Sequence, residues 1–253
     1  MHIEKNICRL YDDLSWVWPL ISPPHEYKEE TEIMSTLIKE KACTDPKTLL
    51  HLGCGGGHND FTFKNHFSVI GVDLSPAMLD LARTLNPEVE YLQDDMRTVQ
   101  LDRIFDAVVI LDSITYMVTP EELYQAFHTA FVHLKPGGVF ITFAEELKDL
   151  FVQNTTHISE HARKPFEIIF IENVYDPDPQ DTTFESTFVY LIRENGELSI
   201  ERDHHLCGIF FYDTWIDTLK RVGFCIEQST LHLSTFPERN FLPLFICTKF
   251  RNE

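Results

Sequence analysis

Along the first 147 residues, short and nearly continuous apolar runs alternate with longer segments whose apolar positions recur at helical spacing. The runs at 48–52, 67–73, 89–92, 104–111 and 139–143 predict strands. Runs this apolar suit strands covered on both faces, as in a parallel sheet. Between them, 25–42 places Ile33, Met34, Leu37, Ile38 and Lys41 on one stripe, with charged residues opposite, and predicts an amphipathic helix. Further helices are predicted over 58–66, from Pro76, and from Pro120 to Leu134. Ser75 and Thr119 stand where N-caps belong, each followed by a proline in the first turn. Gly137-Gly138 predicts a turn into the fifth strand. Alternation of this kind gives an α/β domain with helices on both faces of the sheet, and ligands on such sheets collect at the carboxyl ends of the strands.

From 148 to 206 the texture changes. Segments 166–171, 183–193 and 198–205 read as strands, and Asn195-Gly196 between the last two is a tight-turn signal. A small antiparallel sheet, inserted after the fifth strand and folded over the pocket, is the expectation. A helix over 212–222 then ends at Gly223 as a C-cap, and 224–229 and 244–249 return to the main sheet. The divisions expected are a lid and helix over 1–45, a core over 46–147 and 207–253, and a cap over 148–206. Tyr11, Trp16, Trp18 and Pro23-Pro24 suggest that the lid is ordered.

Chemistry concentrates at three strand ends. Leu49-Leu50-His51-Leu52-Gly53-Cys54-Gly55-Gly56-Gly57-His58-Asn59 ends an apolar run in glycines. Without a Cβ, glycine lets the backbone turn sharply and approach a ligand closely. About twenty residues on, the next run ends in Asp73, where a carboxylate can accept from both hydroxyls of a ribose. The third ends near Asp94, Asp95 and Met96. Glycines, a ribose acid, and an acid beside a thioether suit an adenosine compound.

These stretches resemble the class I S-adenosylmethionine-dependent methyltransferases. Gly53-Cys54-Gly55-Gly56-Gly57 is similar to their G-x-G-x-G loop, and Val72-Asp73-Leu74-Ser75-Pro76 to the second motif. Asp94-Asp95-Met96-Arg97, Phe105-Asp106-Ala107-Val108-Val109 and Leu134-Lys135-Pro136-Gly137-Gly138 resemble the later motifs, in order. The resemblance implies a seven-stranded, mostly parallel sheet whose last strand runs antiparallel, with S-adenosylmethionine as cofactor. It assigns Gly53, Gly55 and Gly57 to the methionine portion, Asp73 to the ribose, Asp95 and Met96 to the adenine, and Leu74 to packing against the ring. Asp112 is a candidate for an ammonium group or a cap on the following turn. Tyr116, Tyr11 and His205 are candidates for acceptor positioning or proton removal, each with packing as its alternative. Related enzymes carry Asp or Glu two residues before the first glycine, and this chain has His51 there. A nicotinamide-dependent dehydrogenase would also use glycines followed by an acid, but it wants Gly or Ala where His58 stands.

A net charge of −19 argues against a nucleic-acid partner and mildly favours a cationic acceptor. The six cysteines show no C-x-x-C spacing, so no zinc or redox site is indicated and free thiols in a cytoplasmic setting are expected. No signal-peptide core and no bilayer-length apolar run is evident. The expected function is transfer of a methyl group to a small-molecule acceptor, an amine ahead of an oxygen or carboxylate, with a noncatalytic cofactor-binding regulator as the rival class. Homodimerisation through a strand edge or the cap is compatible with the sequence.

Overall fold

A computed structural model of the chain describes residues 8–234 and 241–250. The lid consists of short 3-10 turns at Arg9–Tyr11 and Ser15–Val17, a single helical turn α1 (Trp18–Ile21), and a further 3-10 turn at Pro24–Tyr27. Helix α2 (Lys28–Lys41) follows. Strands β1 (Thr48–Leu52), β2 (Ser68–Asp73), β3 (Glu90–Gln93), β4 (Phe105–Val109) and β5 (Leu134–Phe143) alternate with α3 (Asp60–Phe63), α4 (Pro76–Leu85) and α5 (Pro120–His133). Strands β6 (Thr155–Arg163), β7 (Phe166–Tyr175), β8 (Thr183–Glu194) and β9 (Glu197–Gly208) form a separate antiparallel sheet. Helix α6 (Tyr212–Val222) and strands β10 (Cys225–Leu231) and β11 (Leu242–Thr248) complete the order.

The main sheet is seven-stranded, ordered β10-β11-β5-β4-β1-β2-β3, with β11 antiparallel to both neighbours. Successive side chains of the central strands feed opposite faces, as the pleat requires. Leu50, Val108 and Phe140 pack under α5 and α6 with Leu123, Phe127, Trp215 and Leu219. Their neighbours Leu49, Val109 and Ile141 pack on the other side against Met34 and Ile38 of α2 and Phe63 of α3. Each fully buried side chain of this size contributes about 1.5–3 kcal/mol. Ser75 accepts from the Met78 N–H at the start of α4, Thr119 does the same for Glu122 in α5, and Gly223 closes α6 at φ +111.

Three expectations change. The helix over 58–66 shrinks to the single turn α3, because Asp60 is turned fully inward and the connection to β2 is short. Gly137-Gly138 does not precede β5 but lies within it, at a register shift opposite Phe105 and Ala107. The cap sheet has a fourth strand, β6, invisible to periodicity because it is a polar edge strand exposed on both faces. The lid packs beneath the cap: Leu10, Leu14, Val17 and Ile21 share a buried cluster with Ile168, Tyr190 and Ile192.

Candidate functional site

The glycine loop leaves the carboxyl end of β1 with Gly53, Gly55 and Gly57 at φ +71, +51 and +73, the left-handed region that side chains disfavour. Gly53 and Cys54 donate to the Val72 carbonyl, tying the loop to β2. A Cβ on Gly53 would lie 2.0 Å from Ser113 Oγ and 2.7 Å from Met96 Cε, so only glycine fits between these two side chains. Asp73, at the tip of β2, accepts from the Gly55 N–H at 2.7 Å and the Ser75 N–H at 2.9 Å. Burial raises its pKa, and these backbone donors work against that rise. Each of its oxygens keeps acceptor capacity for a hydroxyl. Asp95 is held by Arg97, with Nη2 at 2.6 Å, and Arg97 in turn bridges to Glu122. Leu74 is 64% exposed beside Asp73. Bent glycines, a two-oxygen acid and a thioether across the loop fit a nucleoside with a methionine-like arm.

Beneath the loop lies a closed network. His51 Nδ1 is 2.7 Å from Asp60 Oδ1, and both side chains are buried. The Tyr91 hydroxyl donates to Asp60 Oδ2 at 3.0 Å, and Asn86 donates to the Tyr91 oxygen and to the Gly57 carbonyl. Asp60 thus sets a carboxylate against the imidazole at the end of β1.

Above the loop, Glu30 of α2 is 7% exposed and accepts from Asn59 Nδ2 at 2.9 Å. Burial, with Glu145 nearby, pushes Glu30 up to about 7 despite the Asn59 bond. Asp112, half-buried just beyond β4, is pushed up to about 8 by burial and by Glu30. Carboxylates crowded in this way are relieved by a cation. Trp18 covers the loop from the lid, its Cδ1 3.3 Å from where a Gly56 Cβ would stand, and it stacks on His58.

Tyr11, Tyr116 and His205, drawn from the lid, the turn after β4 and the cap, meet in one hydrogen-bonded row. The hydroxyls of Tyr11 and Tyr116 are 2.7 Å apart, and the Tyr116 hydroxyl is 2.7 Å from His205 Nδ1. His205 Nε2 is 2.8 Å from Asp203 Oδ2. Burial alone would raise Asp203, but His205 and the Leu10 and Arg9 N–H groups outweigh it and hold the carboxyl at about 2. Burial pushes both tyrosines well above the usual phenol range. His205 is fully buried with both ring nitrogens engaged, so it reaches the cleft only through Tyr116.

The sheet tips bring together Gly53, Gly55, Asp73 and Met96, while Asp112 lies toward Glu30, Asp95 stands against Arg97 and Leu74 is exposed. Sequence reasoning missed Glu30, Asp60 and Asp203. The first lies in the charge run Lys28-Glu29-Glu30, and the other two meet partners distant in the chain, Tyr91 for Asp60 and the Leu10 N–H for Asp203.

Residues 49–138 match the family described as methyltransferase domain. The dTDP-3-amino-3,4,6-trideoxy-alpha-D-glucopyranose N,N-dimethyltransferase of Streptomyces venezuelae is 35% identical over 118 residues, 46% of this chain and 49% of that protein. The chain therefore spans about half the length of this curated relative. The crystal structure of Streptomyces venezuelae DesVI superposes with a TM-score of 0.81 at 23% identity, over 94% of this chain and 96% of that one. CalS10, an amino pentose methyltransferase from Micromonospora echinaspora solved with SAM bound, gives 0.79 at 22% identity, over 98% and 100%. Among the described residues no helix is long and apolar enough to cross a membrane.

Proposed function

We propose, from the match of residues 49–138 to the methyltransferase domain family and the class I methyltransferase fold of the chain, that this protein is an S-adenosylmethionine-dependent methyltransferase acting on a small-molecule amine. Bound S-adenosylmethionine supplies a sulfonium methyl group that an amine lone pair can take. Gly53, Gly55 and Gly57 would cradle the methionine portion, Asp73 would accept from the ribose hydroxyls, and Asp95 and Met96 would flank the adenine.

The work left to the protein is positioning and exclusion of water. Trp18 and the lid close over the glycine loop, and the paired hydroxyls of Tyr11 and Tyr116 would orient an acceptor nitrogen. The observation that carries the amine assignment is the pair Glu30 and Asp112, one buried and one half-buried carboxyl raised toward neutrality, which a cation would relieve. The names of the relatives make an amino sugar the first acceptor class to try. Six cysteines without a disulfide support work in a reducing compartment such as the cytoplasm.

The test is radiolabelled methyl transfer to a panel of amino sugars and to the same sugars with hydroxyl in place of the amine. Label on the amines alone is the expected result. Label only on hydroxyl acceptors, or on none of the panel, contradicts the assignment.

A further inference from the structure

Asp203 touches neither the glycine loop nor the sheet tips, yet it ends the row that begins at Tyr11. Its Oδ2 accepts from the Leu10 N–H at 2.7 Å and from His205 Nε2 at 2.8 Å, and its Oδ1 accepts from the His204 N–H at 2.8 Å. Every partner here is a donor, and an ionised carboxylate can only accept. The proton on His205 therefore sits on Nε2. With the ring neutral, Nδ1 must accept, so the Tyr116 hydroxyl donates to it. The Tyr116 oxygen then accepts the Tyr11 hydroxyl hydrogen. At the end of the row, Tyr11 has spent its one hydrogen and keeps only lone pairs.

We propose that Asp203 sets the direction of the whole row, so that Tyr11 meets the acceptor as a hydrogen-bond acceptor and selects a nitrogen that still carries N–H. This deepens, and rests on, the reading of the cleft as an amine methyltransferase site. An N–H given to Tyr11 fixes the rotation of the amine, which leaves its lone pair free to be aimed. Asp203 and His205 are positioning residues, acting through Tyr116 and Tyr11. The same carboxylate holds the lid through Leu10, one residue before Tyr11, so lid placement and hydroxyl direction are set together. Neighbouring packing keeps the row rigid: His205 lies against Phe188 at 4.2 Å between ring centroids, and Tyr11 meets Tyr116 edge-on.

Asp203→Asn separates direction from shape. An amide of the same outline presents one acceptor and one donor. With its oxygen toward Leu10 and His205, its NH2 opposes the His204 N–H. Turned the other way, its NH2 opposes the Leu10 N–H instead, and donates to Nε2, which moves the His205 proton to Nδ1, reverses both hydroxyls and leaves Tyr11 donating into the cleft.

The experiment is nitrogen NMR on ligand-free protein labelled at histidine, with His205 assigned by the signal lost in His205→Gln. Wild type is expected to carry the proton on Nε2 alone, and Asp203→Asn to divide it between Nε2 and Nδ1. Wild-type protonation at Nδ1, or at both nitrogens, overturns the proposal even if the variant fails to fold. An unchanged tautomer in a folded Asp203→Asn also overturns it. In turnover, Asp203→Asn and Tyr11→Phe should each lower kcat on an amine roughly tenfold, the worth of one oriented hydrogen bond, and the double variant no further. Multiplied losses in the double variant would show that the two residues act independently and defeat the proposal. Because the tautomer is read without cofactor, failure of wild type to bind S-adenosylhomocysteine would count against the functional reading and leave the NMR result to judge the row.

Discussion

Two buried networks in this chain use the same three residue types in different orders. Below the glycine loop, Asp60 stands in the middle and faces His51 on one side and Tyr91 on the other, with Asn86 joining Tyr91 to the Gly57 carbonyl. Beneath the lid, Asp203 stands at one end, followed by His205, Tyr116 and Tyr11. A carboxylate can only accept, so its place decides what the network does. In the middle it draws donors from both sides and locks a turn. At the end it orients a row and leaves the last hydroxyl to face something else. The first network ties the glycine loop to β1 and β3, and the second joins the cap to the lid.

The contrast breaks most visibly at Asp60. Asp60→Ala strands a buried imidazole and a buried phenol, and should cost about 3 kcal/mol. For a chain of this size the melting temperature should fall by on the order of 10 °C in a thermal melt. A fall below about 2 °C would mean the lower network does not hold the loop.

The next test concerns the carboxyls above the loop. Glu30 and Asp112 lie at about 7 and about 8 when folded, and near 4 in an unfolded chain. Below about pH 4 both states keep the protons, and the folded state is not penalised. As pH rises toward 8, the unfolded chain releases protons that the folded one retains, so stability falls. Asp112→Asn removes its share of that fall. The variant should gain on wild type between pH 5 and pH 8 by on the order of 2 kcal/mol, read from paired melts. A difference independent of pH would contradict the crowding of these carboxyls. An amine acceptor should flatten the wild-type profile in the same melts.

The smallest effect belongs to Leu74. At 64% exposure it has little packing to lose, so Leu74→Ala should leave the melting temperature unchanged. Cofactor affinity should weaken by about threefold or less, the worth of part of one side chain against a ring. A loss above about thirtyfold by calorimetry would move Leu74 from the rim to the centre of the site.

What was legible in the sequence was local. Gly53, Gly55, Gly57 and Asp73 announce themselves because the turn and the acid lie within one strand-loop-strand passage. The N-caps Ser75 and Thr119 and the C-cap Gly223 are local for the same reason. Tyr11, Tyr116 and His205 could be singled out one by one, but their meeting depends on three separate elements. Glu30 reads as a solvated charge, and only the packing of α2 against the loop buries it beside Asn59. Asp203 gains its importance from a backbone N–H nearly two hundred positions away. Strand β6 escaped because an exposed edge strand has no apolar face to alternate.

The central claim is that the sheet tips grip a sulfonium nucleoside, and titration calorimetry with S-adenosylhomocysteine tests it most directly. Wild type should bind one equivalent, and Asp73→Ala should bind about thirtyfold more weakly, the loss expected for hydrogen bonds to a charged partner. No heat with wild type, or an Asp73→Ala affinity within about twofold of it, would contradict the account.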